Sequence, residues 1–277
     1  MTAHEGARWW SGDDARALMC DGDVLRRRVD AARELYPMPE EAGEADRNGM
    51  PGDVRFLAQV WWYSTCNSWL GPAAASIVVQ GRAPRPGWDG LTVFERDDYW
   101  LGYAAVEFTD LGAGDGLESG DPAAADDVRA YGRAIGEMLA PVVDAIGAEL
   151  GVRPAPLWAI AADALAGAAV AAGNEVMEPW AGALTGTWLV EGLAGCGAAG
   201  SAVPVPRFVD VEAGAGPDGV TSTDLDAAAA GEAADFDVVT HLERVSCCMI
   251  YRSPKAGLCV SCPRRPAAER RELWAAT

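Results

Sequence analysis

A chain of 277 residues, half of them apolar and 23% charged, can bury a hydrophobic core as one large domain or two small ones. Its formal charge of −19 excludes a general nucleic-acid binder, which needs a basic footprint. Met1 to Trp10 has no basic region followed by an apolar run, so no secretory signal is expected. Seven cysteines in that setting point to a reducing cytoplasm, where clustered thiols mean metal rather than disulfide. Alanine and glycine abound and Lys255 is the only lysine, the pattern of GC-rich coding, which weakens any argument from alanine.

Residues 12–37 read as one helix, with Asp13 and Asp14 in its first turn and Leu18, Val24, Leu25, Val29 and Leu35 as its stripe. Pro37 and Pro39 end it, and Glu40 to Gly52 is an acidic linker. Asp53 is placed to cap a second helix that Gly71-Pro72 should break or kink. The aromatic run Trp61-Trp62-Tyr63 with Trp69 reads as core rather than as a ligand-stacking wall. Leu91 to Phe94 and Trp100 to Phe108 read as a hairpin around Arg96-Asp97-Asp98.

Gly112-Ala113-Gly114-Asp115-Gly116 is not a dinucleotide loop: Leu117 stands at the third fingerprint glycine, and Asp115 and Glu118 would repel phosphate. Asp121-Pro122 opens a long helix to about Leu150, with a kink expected at Pro141. A further helix covers 156–172, where Asp163 is the lone acidic residue and reads as a cap or an interhelical contact rather than as a substrate contact. The stretch Ala159 to Gly173 is too short and alanine-rich to span a bilayer. Met177 to Leu193 is helical, 195–201 a connection, Val205 to Glu212 a strand, and 214–232 a loop or weak helix. Phe236 to Val245 then leads into the cysteines. The fold class is α+β and helix-rich, with a small sheet or hairpins packed on helices and a C-terminal cysteine-bearing segment. The division expected is 1–120, an N-terminal helical and hairpin lobe; 121–240, a helix-rich substrate-facing region; and 241–277, the cysteine segment.

Four of the seven cysteines, Cys247, Cys248, Cys259 and Cys262, are spaced C-C-x10-C-x2-C. Four thiolates are the ligand count of a structural zinc or a small iron–sulfur cluster. The adjacent pair Cys247-Cys248 reaches a single tetrahedral ion awkwardly, whereas two irons offer acceptor positions in different directions. Cys259 and Cys262 form the chelating half, with Gly257 and Pro263 shaping the backbone beside them. Cys20, Cys66 and Cys196 are scattered and read as small buried residues. His241 invites a Rieske reading, but such centres need two histidines and the other is His4. From His241 to Thr277 seven basic residues face three acidic ones. That island is either a solvated helix with scattered arginines or a docking patch for an acidic partner.

The run Arg244-Val-Ser-Cys-Cys-Met-Ile-Tyr-Arg252, with Cys259-Val-Ser-Cys262-Pro263, resembles the C-terminal signature of FhuF-type ferric siderophore reductases, with Val245 where a second arginine is expected. The resemblance implies a [2Fe–2S] cluster on Cys247, Cys248, Cys259 and Cys262, with no catalytic residue beyond it. It also implies a cytoplasmic oxidoreductase that reduces Fe(III) in an imported siderophore, of the hydroxamate class, to release Fe(II). A ferredoxin or flavodoxin is the electron donor expected, since no nucleotide loop is found. Association with the inner face of a membrane would be peripheral. Arg244, Arg252, Lys255, Arg264 and Arg265 are candidates for donor docking or for tuning the potential. Two rival readings stay open: a zinc-stabilised binding or adaptor protein, and a non-catalytic siderophore-binding or redox-sensing protein.

Overall fold

The computed structural model describes residues 8–37, 52–95, 101–105, 107–111, 122–199, 202–212, 214–232 and 238–276. The body of the acidic linker, the turn at Arg96 to Asp98, the glycine run from Gly112 and the cap at Asp121 lie outside the described residues.

A short strand β1 (Trp9–Ser11) leads into α1 (Gly12–Cys20) and α2 (Gly22–Leu35). These two replace the single helix expected over 12–37. Asp21 takes an extended backbone, and its Oδ1 accepts from the Val24 N–H at 2.8 Å, so it caps α2 rather than continuing α1. The next helix, α3 (Val54–Gln80), does not use the Asp53 side chain as a cap. That carboxylate is engaged by Arg33 at 2.6 Å. Nor does Gly71-Pro72 break α3. The ring of Pro72 faces solvent, while Trp61, Trp62, Leu70, Ala74 and Ile77 are buried along the helix. Tertiary packing outweighs one missing hydrogen bond. Gly81, at φ +64°, ends the helix.

Strand β2 (Arg82–Pro84) pairs with β5 (Phe108–Asp110), and β3 (Leu91–Glu95) pairs with β4 (Leu101–Ala105), all antiparallel. The hairpin expected at 91–108 is thus present, but its second strand is shared between two small sheets. Helix α4 (Pro122–Leu150) runs through Pro141 as one element, and α5 (Pro154–Glu175) follows. Met177 sits at φ +62°, so α6 (Pro179–Ala194) begins only after it. A three-stranded antiparallel sheet, in the order β7 (Val220–Ser222), β6 (Phe208–Glu212), β8 (Val238–Leu242), includes a short helix α7 (Leu225–Ala229) between β7 and β8 in the chain. Helix α8 (Ala267–Ala275) closes the described chain.

The core is built by α3 on α5, α5 on α6 and α6 on α4. Trp61, Trp62 and Trp158 are fully buried in it, so most of the aromatic run is core as expected. Trp62 also donates its indole N–H to the Leu157 carbonyl at 2.9 Å. Helix α5 is longer than the stretch read from sequence. Among the described residues it is the one helix long and apolar enough to cross a bilayer, and most of it is buried inside the protein.

Glycines set how closely these helices approach. A Cβ on Gly132 of α4 would collide with the Leu189 carbonyl oxygen of α6, and one on Gly192 would collide with the Arg129 carbonyl oxygen. Gly173 and Gly182 face each other across α5 and α6 in the same way. Two polar contacts then fasten the sheet to this bundle. Asn174 of α5 brackets Thr240 of β8, donating to its carbonyl at 2.8 Å and accepting from its N–H at 3.1 Å. Buried Asp210 of β6 accepts from Thr240, Thr223 and the Trp180 indole at 2.6, 2.7 and 3.2 Å. Strand β8 therefore leaves the sheet in a fixed direction.

Substitution separates the two kinds of glycine. Gly192→Ala should destabilise the protein by about 1–3 kcal/mol through overpacking. Gly167→Ala places its Cβ 3.5 Å from Leu242 Cδ2, an ordinary contact, and should stabilise it by about 0.5–1 kcal/mol through helix propensity. Urea unfolding midpoints of the two variants check both signs.

Candidate functional site

After β8 the chain carries the four cysteines through residues 243–266 with a single helical turn, Ile250–Arg252, as regular structure. Its own backbone hydrogen bonds form only isolated turns, such as the one from the Cys262 N–H to the Cys259 carbonyl at 3.2 Å. Side chains from the bundle hold it. Asp163, buried on α5, accepts from the Ser246 N–H at 2.8 Å, the Ser246 hydroxyl at 2.5 Å and the Val245 N–H at 3.4 Å. Arg244 lies beside it, with Nε 3.6 Å from Asp163 Oδ2, Nη2 3.4 Å from Ser246 Oγ, and its guanidinium 5.0 Å from the centre of the Tyr63 ring. Further along, the Arg252 guanidinium rests 3.9 Å from the Phe56 ring centre. Tyr63 and Phe56 are both on α3, so the segment lies across α3 and α5 together.

The other end is clamped from behind. Arg265 donates to the carbonyls of Cys259 at 2.9 Å and Leu258 at 2.7 Å, and pairs with Glu269 on α8. Arg270 joins the Arg265 carbonyl at 2.9 Å to Glu243 at 3.2 Å. Helix α8 is anchored by buried Trp274, which packs on the β6–β7 side and stacks on His241 at 5.8 Å. Its outer residues Ala267, Ala268, Arg271 and Glu272 stay exposed.

The four thiols share one neighbourhood. Cys247 and Cys259 each feel the charge of both Cys248 and Cys262. Cys262 is buried, Cys247 and Cys248 half-buried, and Cys259 exposed, and all are free thiols. Burial pushes the Cys247 and Cys259 thiols up, and donors aimed at sulfur act against it. The Met249 N–H serves Cys247, and Met249 itself sits at φ +63°, a conformation uncommon outside glycine. The Ser261 hydroxyl serves Cys259, and Arg244 Nη1 lies 3.9 Å from Cys259 Sγ. Among the described residues, no three His, Cys, Asp or Glu side chains close tightly enough to hold a single ion.

Residues 244–264 match the FhuF 2Fe-2S C-terminal domain. The match spans all four cysteines and starts at the arginine that Asp163 holds. No curated protein and no solved structure matches the chain. The FhuF-type domain binds a [2Fe–2S] cluster, and the donor set fits one in number and kind: four thiols in one neighbourhood, with N–H and O–H groups turned to their sulfurs.

The cations expected to dock a donor or tune the potential divide. Arg244 and Arg265 are committed to holding the segment, whereas Arg252, Lys255 and Arg264 are exposed, Arg264 lying over the Tyr251 ring at 4.9 Å. Cys66 and Cys196 are buried in the core, apart from the FhuF-type segment, and Cys20 is half-buried. Asp163, Ser246 and Tyr63 are the positioning residues that sequence reasoning missed. A lone acid on an apolar helix was the available signal for Asp163. From sequence it reads as a cap or interhelical contact, and its partner is instead the cysteine segment.

Two outcomes follow from this geometry. Asp163→Ala leaves Ser246 and Arg244 without their acceptor in a buried place and should cost about 3–5 kcal/mol. Hydrogen exchange of residues 244–253 should rise sharply in that variant. Burial holds the His241 pKa below its usual 6.5, so the unfolded chain binds the proton more tightly. Stability should therefore fall as pH drops below 6.5, and His241→Gln should flatten that slope in urea titrations.

Proposed function

We propose that the protein is a ferric siderophore reductase. It passes one electron to Fe(III) held by an imported chelate, of the hydroxamate class, and releases Fe(II) in the cytoplasm. Cys247, Cys248, Cys259 and Cys262 would hold the [2Fe–2S] group, which when bound supplies one-electron transfer. The observation that carries the reading is the coincidence of the matched domain with the place where the fold gathers four free thiols.

The chain's own residues set the conditions. Arg244 places positive charge and an N–H donor beside Cys259, which favours the more negative, reduced state of the site. Ser261 and Met249 add neutral donors. Cys259 and Val260 are exposed, and the cations left in solvent nearby in sequence are Arg252, Lys255 and Arg264. That surface complements an acidic one-electron donor such as a ferredoxin or flavodoxin. One electron enters from the donor and one leaves to Fe(III). No bond of the chelator is made or broken. Fe(II), with lower charge density, is then held far more weakly by the same hard oxygen donors.

Anaerobically purified protein should be red-brown, with iron and labile sulfide, and should show the paramagnetic signal of a [2Fe–2S] site once one electron has been added. Mixed with a ferric trihydroxamate and a ferrous trap, the reduced protein should regain the stronger colour of its oxidised state and yield one Fe(II) per protein. A colourless zinc protein, or a site that stays reduced beside the ferric complex, refutes the reading. Cys→Ser at 247, 248, 259 or 262 should remove or badly damage the chromophore, and Cys20→Ser should not. Arg244→Gln should shift the midpoint potential negative, measured by redox titration.

A further inference from the structure

We infer that a groove leading from the cysteine segment along α5 is the berth for the organic arm of the ferric chelate, and that it takes an uncharged polymethylene–amide chain. The inference rests on the reductase reading above. The groove is a cavity of about 430 Å³ between α3, α5 and β8. It meets the site at Arg244 and Ser261, the two side chains directed at Cys259 sulfur. From Asp163 it follows one face of α5 to Asn174, roughly 16 Å at the rise of a helix. A metal carried at the head of such an arm therefore lies at the Arg244–Cys259 end.

Missing side chains make the room. Gly71 of α3 and Gly167, Ala168 and Ala171 of α5 line the groove. Close packing does not demand glycine there. A Cβ on Gly71 would meet Ala168 at 3.7 Å and one on Gly167 would meet Leu242 at 3.5 Å, unlike the collisions at Gly132 and Gly192. Beyond those contacts the space along α5 is open.

The lining also limits what can enter. Its two charged side chains, Asp163 and Arg244, are 3.6 Å apart and share Ser246, and Nη1 of Arg244 is turned to Cys259, so both charges are engaged at the cysteine end of the groove. Asn174 is bound to Thr240, and the opposite wall is the His241–Trp274 stack. Carboxylate or catecholate arms find no cation to meet them. Methylene runs fit against alanine and indole, and Asn67 at the rim, whose Nδ2 donates to the Tyr63 carbonyl at 2.7 Å, leaves its Oδ1 to accept from an amide N–H.

The test separates binding from electron transfer by using the redox-inert gallium(III) complex of a linear trihydroxamate, titrated calorimetrically against the cluster-loaded protein. Gly167→Leu and Ala171→Leu fill the groove; Ala171 is exposed, so that variant keeps the fold. Both should weaken gallium-complex binding by about tenfold or more, with the visible and paramagnetic spectra of the site unchanged. Gly167→Ala should bind nearly as the parent does, and a gallium tricatecholate should bind more weakly to all. If the filled variants bind the trihydroxamate as tightly as the parent, or the parent binds it not at all while still reducing the ferric complex, the berth is elsewhere and the reductase reading stands. If binding depends on the groove but reduced parent protein yields no Fe(II), the berth stands and the reductase reading falls. Equal binding of the tricatecholate overturns the assignment of the arm.

Discussion

A buried carboxylate on a packed helix is the constraint on which the cysteine site depends. Asp163 cannot remain ionised in the bundle without partners, because burial alone lifts its pKa. The Ser246 hydroxyl and N–H, the Arg244 charge and the Val245 N–H act the other way and offset part of that rise. Each partner belongs to the three residues immediately before Cys247. The requirement to satisfy one carboxylate thus fixes where the cysteine segment begins, and Arg265 fixes where it turns back. Between those anchors, the entropy of ordering a segment with little regular structure is offset by ring contacts at Phe56 and Tyr63 and by the hydrogen bonds at sulfur. The anchors are only as rigid as α5, and α5 is held close to α6 by facing glycines.

The same contacts divide the basic island into two classes. Arg244, Arg265 and Arg270 are shielded and spend their donors on carbonyls, hydroxyls and carboxylates of the protein. Arg252, Lys255, Arg264 and Arg271 keep their charge in solvent. Composition counts all seven alike. An acidic partner would meet the second class, while the first decides whether the thiols are in place at all.

What sequence could show follows how local each cause is. The cysteine spacing and the periodic stripes of the long helices are local, and the fold contains both. The break at Asp21 was also local, an N-cap in front of Gly22, but the apolar stripe continued across it and hid it. Continuity at Gly71-Pro72 came from packing of α3 on α5, which no local rule for proline contains. Asp53 looks like a cap in sequence because its rival, Arg33, lies 20 residues away. The anchor itself joins residues 83 apart in the chain. An isolated acid on an apolar helix shows that a partner must exist without naming it.

Helix α5 shows why composition alone misleads in the opposite direction as well. Its alanines and glycines look like neutral coding bias, and a leucine-rich helix would bury more apolar area per residue. On one face, however, Gly173 and Ala166 lie against Gly182 and Gly186 of α6 at separations that leave no space for larger side chains. On another, Gly167, Ala168 and Ala171 border open space that leads to the cysteine segment. Asp163 stands at the end where that space meets Arg244. Small residues on the first face hold the helix still, and small residues on the second leave access beside a site that must stay fixed. A bulkier α5 could stabilise the bundle through added burial, but it could not keep both the close approach and the opening.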